Sequence, residues 1–198
     1  MGRTIWDSKK GERTFTAKFF HELSGGEVYE ILKARAAVFV VEQKLSYVDM
    51  DDVDYDSLHC FIAENGRVTA YLRAFYEKQE AGHAAAGCSP DDQAPAGRTV
   101  KIGRVLTIAH GRGEGRALME LSLRAISERM GSDHFCLDAQ KYAAGFYEKF
   151  GFRTISPDFL EEGIVHVKME YLPSDNFRRA AQNTDRGGKK NERNQQEQ

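Results

Sequence analysis

KIGRVLTIAHGRGEGRALMELSLRAISERM, residues 101–130, changes periodicity twice. From Lys101 to Ile108, the residues Ile102, Arg104, Leu106 and Ile108 alternate with Val105 and Thr107, a β-branched pattern that suits a strand. Gly111, Gly113 and Gly115 then fall at every second position. After them Met119, Leu123, Ile126 and Met130 recur at helical spacing, beside a second stripe of Leu118, Leu121 and Ala125. The stretch reads as strand, glycine turn and amphipathic helix.

A glycine turn that opens a helix suits an anion. The first turn of a helix has unpaired N–H groups and the positive end of the macrodipole, and glycines remove the Cβ atoms that would keep a ligand away. The expectation is a phosphate or pyrophosphate cradle at 110–116, with Arg112 and Arg116 adding charge-assisted bonds. The dinucleotide fingerprint Gly-x-Gly-x-x-Gly fails on spacing and context. A Walker-type loop fails because Gly115 is followed by Arg116 and Ala117 rather than Lys-Ser/Thr. A turn that only connects needs one glycine, not three in register.

A second pattern follows: Gln140-Lys-Tyr-Ala143-Ala-Gly-Phe-Tyr147-Glu-Lys-Phe-Gly151-Phe152. It is similar to the later signature of GNAT-superfamily N-acetyltransferases, Asn-x-x-Ala-x-x-x-Tyr-x-x-x-Gly-Phe, with Gln140 in place of Asn. The earlier turn resembles that family's acetyl-coenzyme A loop, Arg/Gln-x-x-Gly-x-Gly/Ala, laid on His110, Gly111, Arg112, Gly113, Glu114 and Gly115. His110 stands where Arg or Gln is usual. The runs 35–43, 102–105 and 161–169 resemble the ElaA-like branch, and the resemblance spans roughly residues 15–172.

The resemblance implies a single-domain α+β fold, a mixed, mostly antiparallel central sheet flanked by helices, and direct acetyl transfer from acetyl-CoA to a primary amine. A bulge in the central strand would bare backbone groups at Val105, Leu106 and Thr107, with the Leu106 N–H toward the oxyanion. His110 to Arg116, with Gln140 and Ala143, would hold the cofactor. Tyr147 is the candidate acid for the leaving thiolate, since a phenol is a donor at neutral pH. On its own helix Tyr147 reads equally as a core aromatic beside Phe146 and Phe150.

The base is open between Glu42, which follows the apolar run VFVV and is expected partly buried, and His166 in a strand. His166 is as readily a satisfied structural histidine, and Glu42 an ion-pair partner of Arg35. Arg35, His59, Arg73 and Glu162 are carried as acceptor-pocket residues.

The chain has 198 residues, 41% hydrophobic, with Lys+Arg 28 against Asp+Glu 30. That suits one domain and offers no basic surface for nucleic acid. No apolar run reaches membrane-spanning length, and residues 1–10 lack a leader pattern. Cys60, Cys88 and Cys136 are odd in number and widely spaced, which reads as reduced thiols in a cytoplasmic protein; no Cys/His cluster has metal spacing.

Residues 1–12 read as a flexible N-terminus, 13–173 as the domain and 174–198 as a polar disordered tail. Ser24 with Glu27 forms a capping box before a helix. Asn65-Gly66 joins two strands as a hairpin. Residues 77–98 form a long excursion without evident chemistry, and 159–163 a loop. The stretch 44–57 reads as a loop carrying Asp49, Asp51, Asp52, Asp54 and Asp56. A charge run is usually a solvated face. Near the acceptor, it would favour a small cationic amine. A small-molecule amine and a protein amino group both stay open as acceptor, as does a homodimer. The competing readings are a regulatory module of the same fold that binds acyl-CoA without turnover, and a nucleotide binder misread through its glycines.

Overall fold

The computed structural model describes residues 3–8, 11–45, 47–77 and 98–171. Its strands are β1 (Arg3–Ser8), β2 (Gly11–Phe19), β3 (Leu58–Glu64), β4 (Arg67–Tyr76), β5 (Val100–Thr107), β6 (Phe135–Gln140), β7 (Phe152–Thr154), β8 (Phe159–Glu161) and β9 (Ile164–Tyr171). They form one sheet in the order β1-β2-β3-β4-β5-β6-β9-β7, with β8 also on β9. β5 and β6 pair in parallel; the other pairs are antiparallel. Two expectations are corrected. Residues 3–8 are a strand on β2 rather than a loose terminus, and 159–161 are a short strand rather than loop. The excursion beyond Glu77 and the C-terminal tail lie outside the described residues.

Helix α1 (Gly25–Arg35) starts as its sequence requires: the Glu27 N–H donates to Ser24 Oγ at 3.3 Å, and the Ser24 N–H donates to Glu27 Oε2 at 2.8 Å. Ala36–Glu42 continues it as a π-helix. Helix α2 (Glu114–Met130) begins at Gly113 and stops at the left-handed Gly131. Helix α3 (Ala144–Glu148) follows a 3-10 turn at Lys141–Ala143.

Each face of the sheet has its own core. Ile31, Ala34, Val38 and Phe39 pack on Phe61, Tyr71 and Leu106. Leu118, Met119, Leu123 and Ile126 of α2 pack on Leu58, Cys60, Leu72 and Ile102 opposite. Burial pushes the Cys60 thiol up to about 12, an inert core sulfur.

Ile102 and Leu106 lie in different cores although both are even-numbered, so the alternation of β5 must break between them. It breaks at a bulge. Tyr71 pairs with Leu106 and Arg73 with Gly103, so Leu72 alone opposes Arg104 and Val105. Arg104 takes φ 55, the left-handed region where glycine is the usual occupant. For another residue this costs roughly 1–2 kcal/mol.

Candidate active site

β5 meets β6 only at Val100–Phe135 and Lys101–Cys136. Past Lys101 the two strands part, and the β6-facing backbone of 103–107 is left without a strand partner. Such groups are obligatory hydrogen-bonding groups and invite a ligand. A cavity of about 940 Å³ fills the gap, walled by residues 101–107 on one side and by Leu137, Asp138 and Gln140 on the other.

The glycine turn forms one end. Gly111 and Gly113 both have φ 76, and nothing lies within 4 Å of where a Cβ would stand on either. Their glycines answer to backbone conformation, and the space beside them is open. Gly113 is the N-cap of α2 and gives no side-chain cap, so the first N–H groups of the helix stay available to an anion. The site therefore fits the phosphate end of a coenzyme A thioester.

The flanking cations are less free than their sequence positions suggest. Arg112 Nη2 lies 3.2 Å from Glu64, and Arg116 Nε lies 2.9 Å from Glu120. Glu114 is buried, 3.3 Å from Arg13 Nη2, and neither of its oxygens makes a hydrogen bond, so charge alone holds it. The positive potential of the cradle comes chiefly from the helix terminus itself.

Val105–Thr107, His110–Arg116, Gln140, Ala143 and Tyr147 all line the same cavity. Gln140 spans it: Nε2 donates to Gln43 Oε1 at 3.3 Å, and Oε1 accepts from the Tyr142 hydroxyl. Tyr147 is 8% exposed, packed edge-on against Phe146 and Phe152. Among the described residues its hydroxyl has no hydrogen-bond partner. Burial pushes the phenol well above its ordinary value, so it stays protonated.

His166 is buried on β9 and lines the cavity. Its Nδ1 lies 2.9 Å from the Ile164 carbonyl, which only accepts, so Nδ1 carries a proton and Nε2 is the nitrogen left to exchange one. Glu161 Oε2 lies 4.0 Å from Nε2, and Phe159 stacks on the ring. Glu161 and Tyr47, which sequence reading passed over, both line this end. Glu161 precedes the hairpin turn at Glu162, and nothing in its local sequence marks it out.

Three expectations change here. Arg35 and His59 do not line the cavity. Arg35 is fully buried, with Nε on Asp49 and Nη1 on Asp54, both at 2.8 Å, so it is no partner of Glu42. Burial opposes its charge, but the bonds from Asp49 and Asp54 outweigh that and raise the guanidinium further. His59 is the satisfied core histidine: Nε2 donates to the Asp54 carbonyl at 2.9 Å, and Nδ1 accepts from the Tyr71 hydroxyl at 2.8 Å. Burial holds it below its ordinary value. Glu42 lines the mouth, but its side chain is 52% exposed rather than buried, 3.3 Å from His110 Nε2.

The acidic stretch is not a free rim either. It turns as a short 3-10 helix at Asp52–Asp56, with Asp49 and Asp54 buried. Arg73 lines the cavity but donates to Asp51 at 2.8 Å and to Asp54 at 2.7 Å. Arg104 Nε donates to Asp49 at 2.7 Å. Three arginines thus answer three aspartates. The carboxylates of the cavity wall without an arginine or lysine partner among the described residues are Glu42, Glu161 and Glu162.

Comparison with known proteins agrees with this geometry. The Acetyltransferase (GNAT) domain family matches residues 42–173. A UPF0039 protein of Schizosaccharomyces pombe is 35% identical over 159 residues, 78% of this chain and 94% of that protein. Protein ElaA of Escherichia coli is 34% identical over 152 residues, 75% of this chain and 89% of that protein. The ElaA structure matches at a TM-score of 0.65 over 80% of this chain and 98% of its own. An acyl-CoA N-acyltransferase from Pseudomonas aeruginosa matches at 0.66 with 31% identity, over 80% and 99%. No helix among the described residues is long and apolar enough to cross a membrane. By its family match and these relatives, the chain belongs to the GNAT acetyltransferase family, in its ElaA-like branch.

Proposed function

We propose that the protein transfers an acetyl group from acetyl-CoA to the primary amine of a small cationic acceptor, with Tyr147 as acid and His166 as base. Acyl-CoA, the co-substrate of GNAT acyltransferases, supplies the acyl thioester. The observation that carries the reading is that one cavity is walled by the parted β5 and β6, the uncapped start of α2, a buried phenol and an imidazole anchored through Nδ1.

Each group has a task that suits its surroundings. The backbone N–H groups of Val105 and Thr107, turned away from β4, are fixed donors, and in a site closed to water fixed donors stabilise developing negative charge on oxygen without reorganising. His166 Nε2 takes the amine proton, directly or through water, as the C–N bond forms. Tyr147 gives a proton to the sulfur as the C–S bond breaks. Burial raises its pKa, but the same desolvation disfavours a thiolate leaving into that space, so donor and acceptor move together. His166 is preferred to Glu42 because it is buried in the cavity wall while Glu42 faces water at the mouth.

The acceptor assignment rests on Glu42, Glu161 and Glu162, while Asp51 and Asp138 are answered by Arg73 and Lys101. The test is thiol release from acetyl-CoA across a panel of diamines, amino-terminal peptides, arylamines and neutral amines. The reading expects turnover with basic amines and a KM that rises at least tenfold for the E161Q/E162Q double variant, with acetyl-CoA affinity unchanged. Acetyl-CoA binding without thiol release for any amine would instead favour the regulatory module.

A further inference from the structure

An arginine at φ 55 inside a strand needs a reason, because glycine would adopt that conformation unaided. The side chain of Arg104 supplies it. Arg104 Nε donates to Asp49 Oδ1 at 2.7 Å, and Nη2 reaches the Asp49 carbonyl at 3.4 Å and Asp51 Oδ2 at 3.5 Å. Its guanidinium also lies 5.1 Å from the centre of the Tyr47 ring. Asp49 is itself immobilised from behind: its other carboxylate oxygen accepts from Arg35 Nε at 2.8 Å, and its carbonyl accepts from Arg35 Nη2 at 2.6 Å. Both the side chain and the main chain of this one residue therefore tie the end of α1 to the bulge of β5.

We propose that Asp49 is a positioning residue. It holds Arg104 in the left-handed conformation and thereby sets the direction of the Val105 and Thr107 N–H groups, which strand alternation turns away from β4 and toward the cavity. The step rests on the acyltransfer reading only for its kinetic consequence. The mechanical part, that Asp49 maintains the bulge through Arg104, stands without it. A residue that acts in this way influences transition-state stabilisation more than ground-state binding, because oxygen gathers charge only as the reaction proceeds.

The test is a double-mutant cycle between D49N and R104G. Glycine keeps φ 55 without a clamp, so the clamp should matter only when residue 104 is not glycine. The expected result is a tenfold or greater fall in kcat for D49N at nearly unchanged acetyl-CoA affinity. In the R104G background the same D49N change should leave kcat within twofold of R104G alone. The melting temperature should fall with D49N in both backgrounds, because Arg35 loses one of its two buried carboxylate partners either way. That pattern separates positioning from loss of stability. R104K, which leaves the Asp49–Arg35 bonds in place, should reduce kcat with little change in melting temperature, and it decides the matter if D49N does not fold.

Amide hydrogen exchange at 105–107 supplies the arm that needs no turnover. D49N should speed exchange there, and R104G should remove that sensitivity. An equal fall in kcat in both backgrounds, or no effect of D49N on kcat and exchange, would overturn the proposal. If the wild-type protein transfers no acyl group but the exchange pattern appears, the acyltransfer reading has failed and the clamp stands.

Discussion

Tyr147→Phe isolates one oxygen atom. The ring stays packed against Phe146 and Phe152, and the hydroxyl that is removed has no hydrogen-bond partner among the described residues. A hydroxyl that makes no protein hydrogen bond and opens onto the cavity contributes little to stability, so the folding free energy should change by no more than about 1 kcal/mol, in either direction. Turnover should respond differently. Loss of a general acid typically costs roughly 10²–10⁴ in rate, equivalent to about 2.7–5.4 kcal/mol of transition-state stabilisation. Thiol release at saturating acetyl-CoA would give kcat, and calorimetry would give the cofactor affinity. The pH profile adds a check. Burial raises the phenol above its reference value of 10.0, so Tyr147 stays protonated and active until pH exceeds that value. The wild type should show no Tyr147-dependent fall in activity below pH 10. A parallel loss of affinity, melting temperature and kcat in the variant would refute the assignment and make Tyr147 a packing residue.

His166→Gln should lower kcat by about a hundredfold or more while leaving acetyl-CoA affinity intact, and a weakened affinity alone would count against it as base. Arg35→Met leaves Asp49 to Arg104 and Asp54 to Arg73, each short of one buried partner. Breaking a buried pair costs roughly 3–5 kcal/mol, so thermal denaturation should show a melting point lower by about 6–20 °C. His59 gives stability a pH dependence of known sign. Its folded value lies below the ordinary 6.5, so the unfolded chain binds the extra proton first and stability declines as pH falls below 6.5 toward the folded value. Urea midpoints between pH 5 and 7 should show a shallower pH dependence in H59F than in the wild type.

The parts of the site that were legible in sequence are local ones. The glycines, Tyr147 and Gly151 sit within short patterns whose spacing is set by one turn or one helix, and Ser24 and Asn65-Gly66 act on neighbours two or three residues away. The acidic stretch misled because its partners are remote. Asp49 is answered by Arg35, 14 residues back, and by Arg104, 55 residues on. No spacing rule shows such a pairing, and a run of aspartates reads as solvated until the arginines arrive. The bulge is expected only from the family resemblance, and the residues of the strand do not themselves mark it. Ile102 and Leu106 are both apolar, so the strand reads as regular although they serve opposite cores. Glu161 and Tyr47 reach the cavity through tertiary placement, with no local mark.

The bulge gives the open cleft an unusually small genetic footprint. Excision of Arg104 would leave Ile102, Gly103, Val105 and Leu106 alternating regularly, with Ile102 and Leu106 still facing the cores they occupy now. The ladder to β4 would then run Arg73–Gly103, Leu72–Val105, Tyr71–Leu106 without a skipped residue. A single-codon deletion could thus straighten the strand while sparing its packing. Such a deletion would keep the register with β4 on both sides of position 104 and change only the regularity of the strand between them.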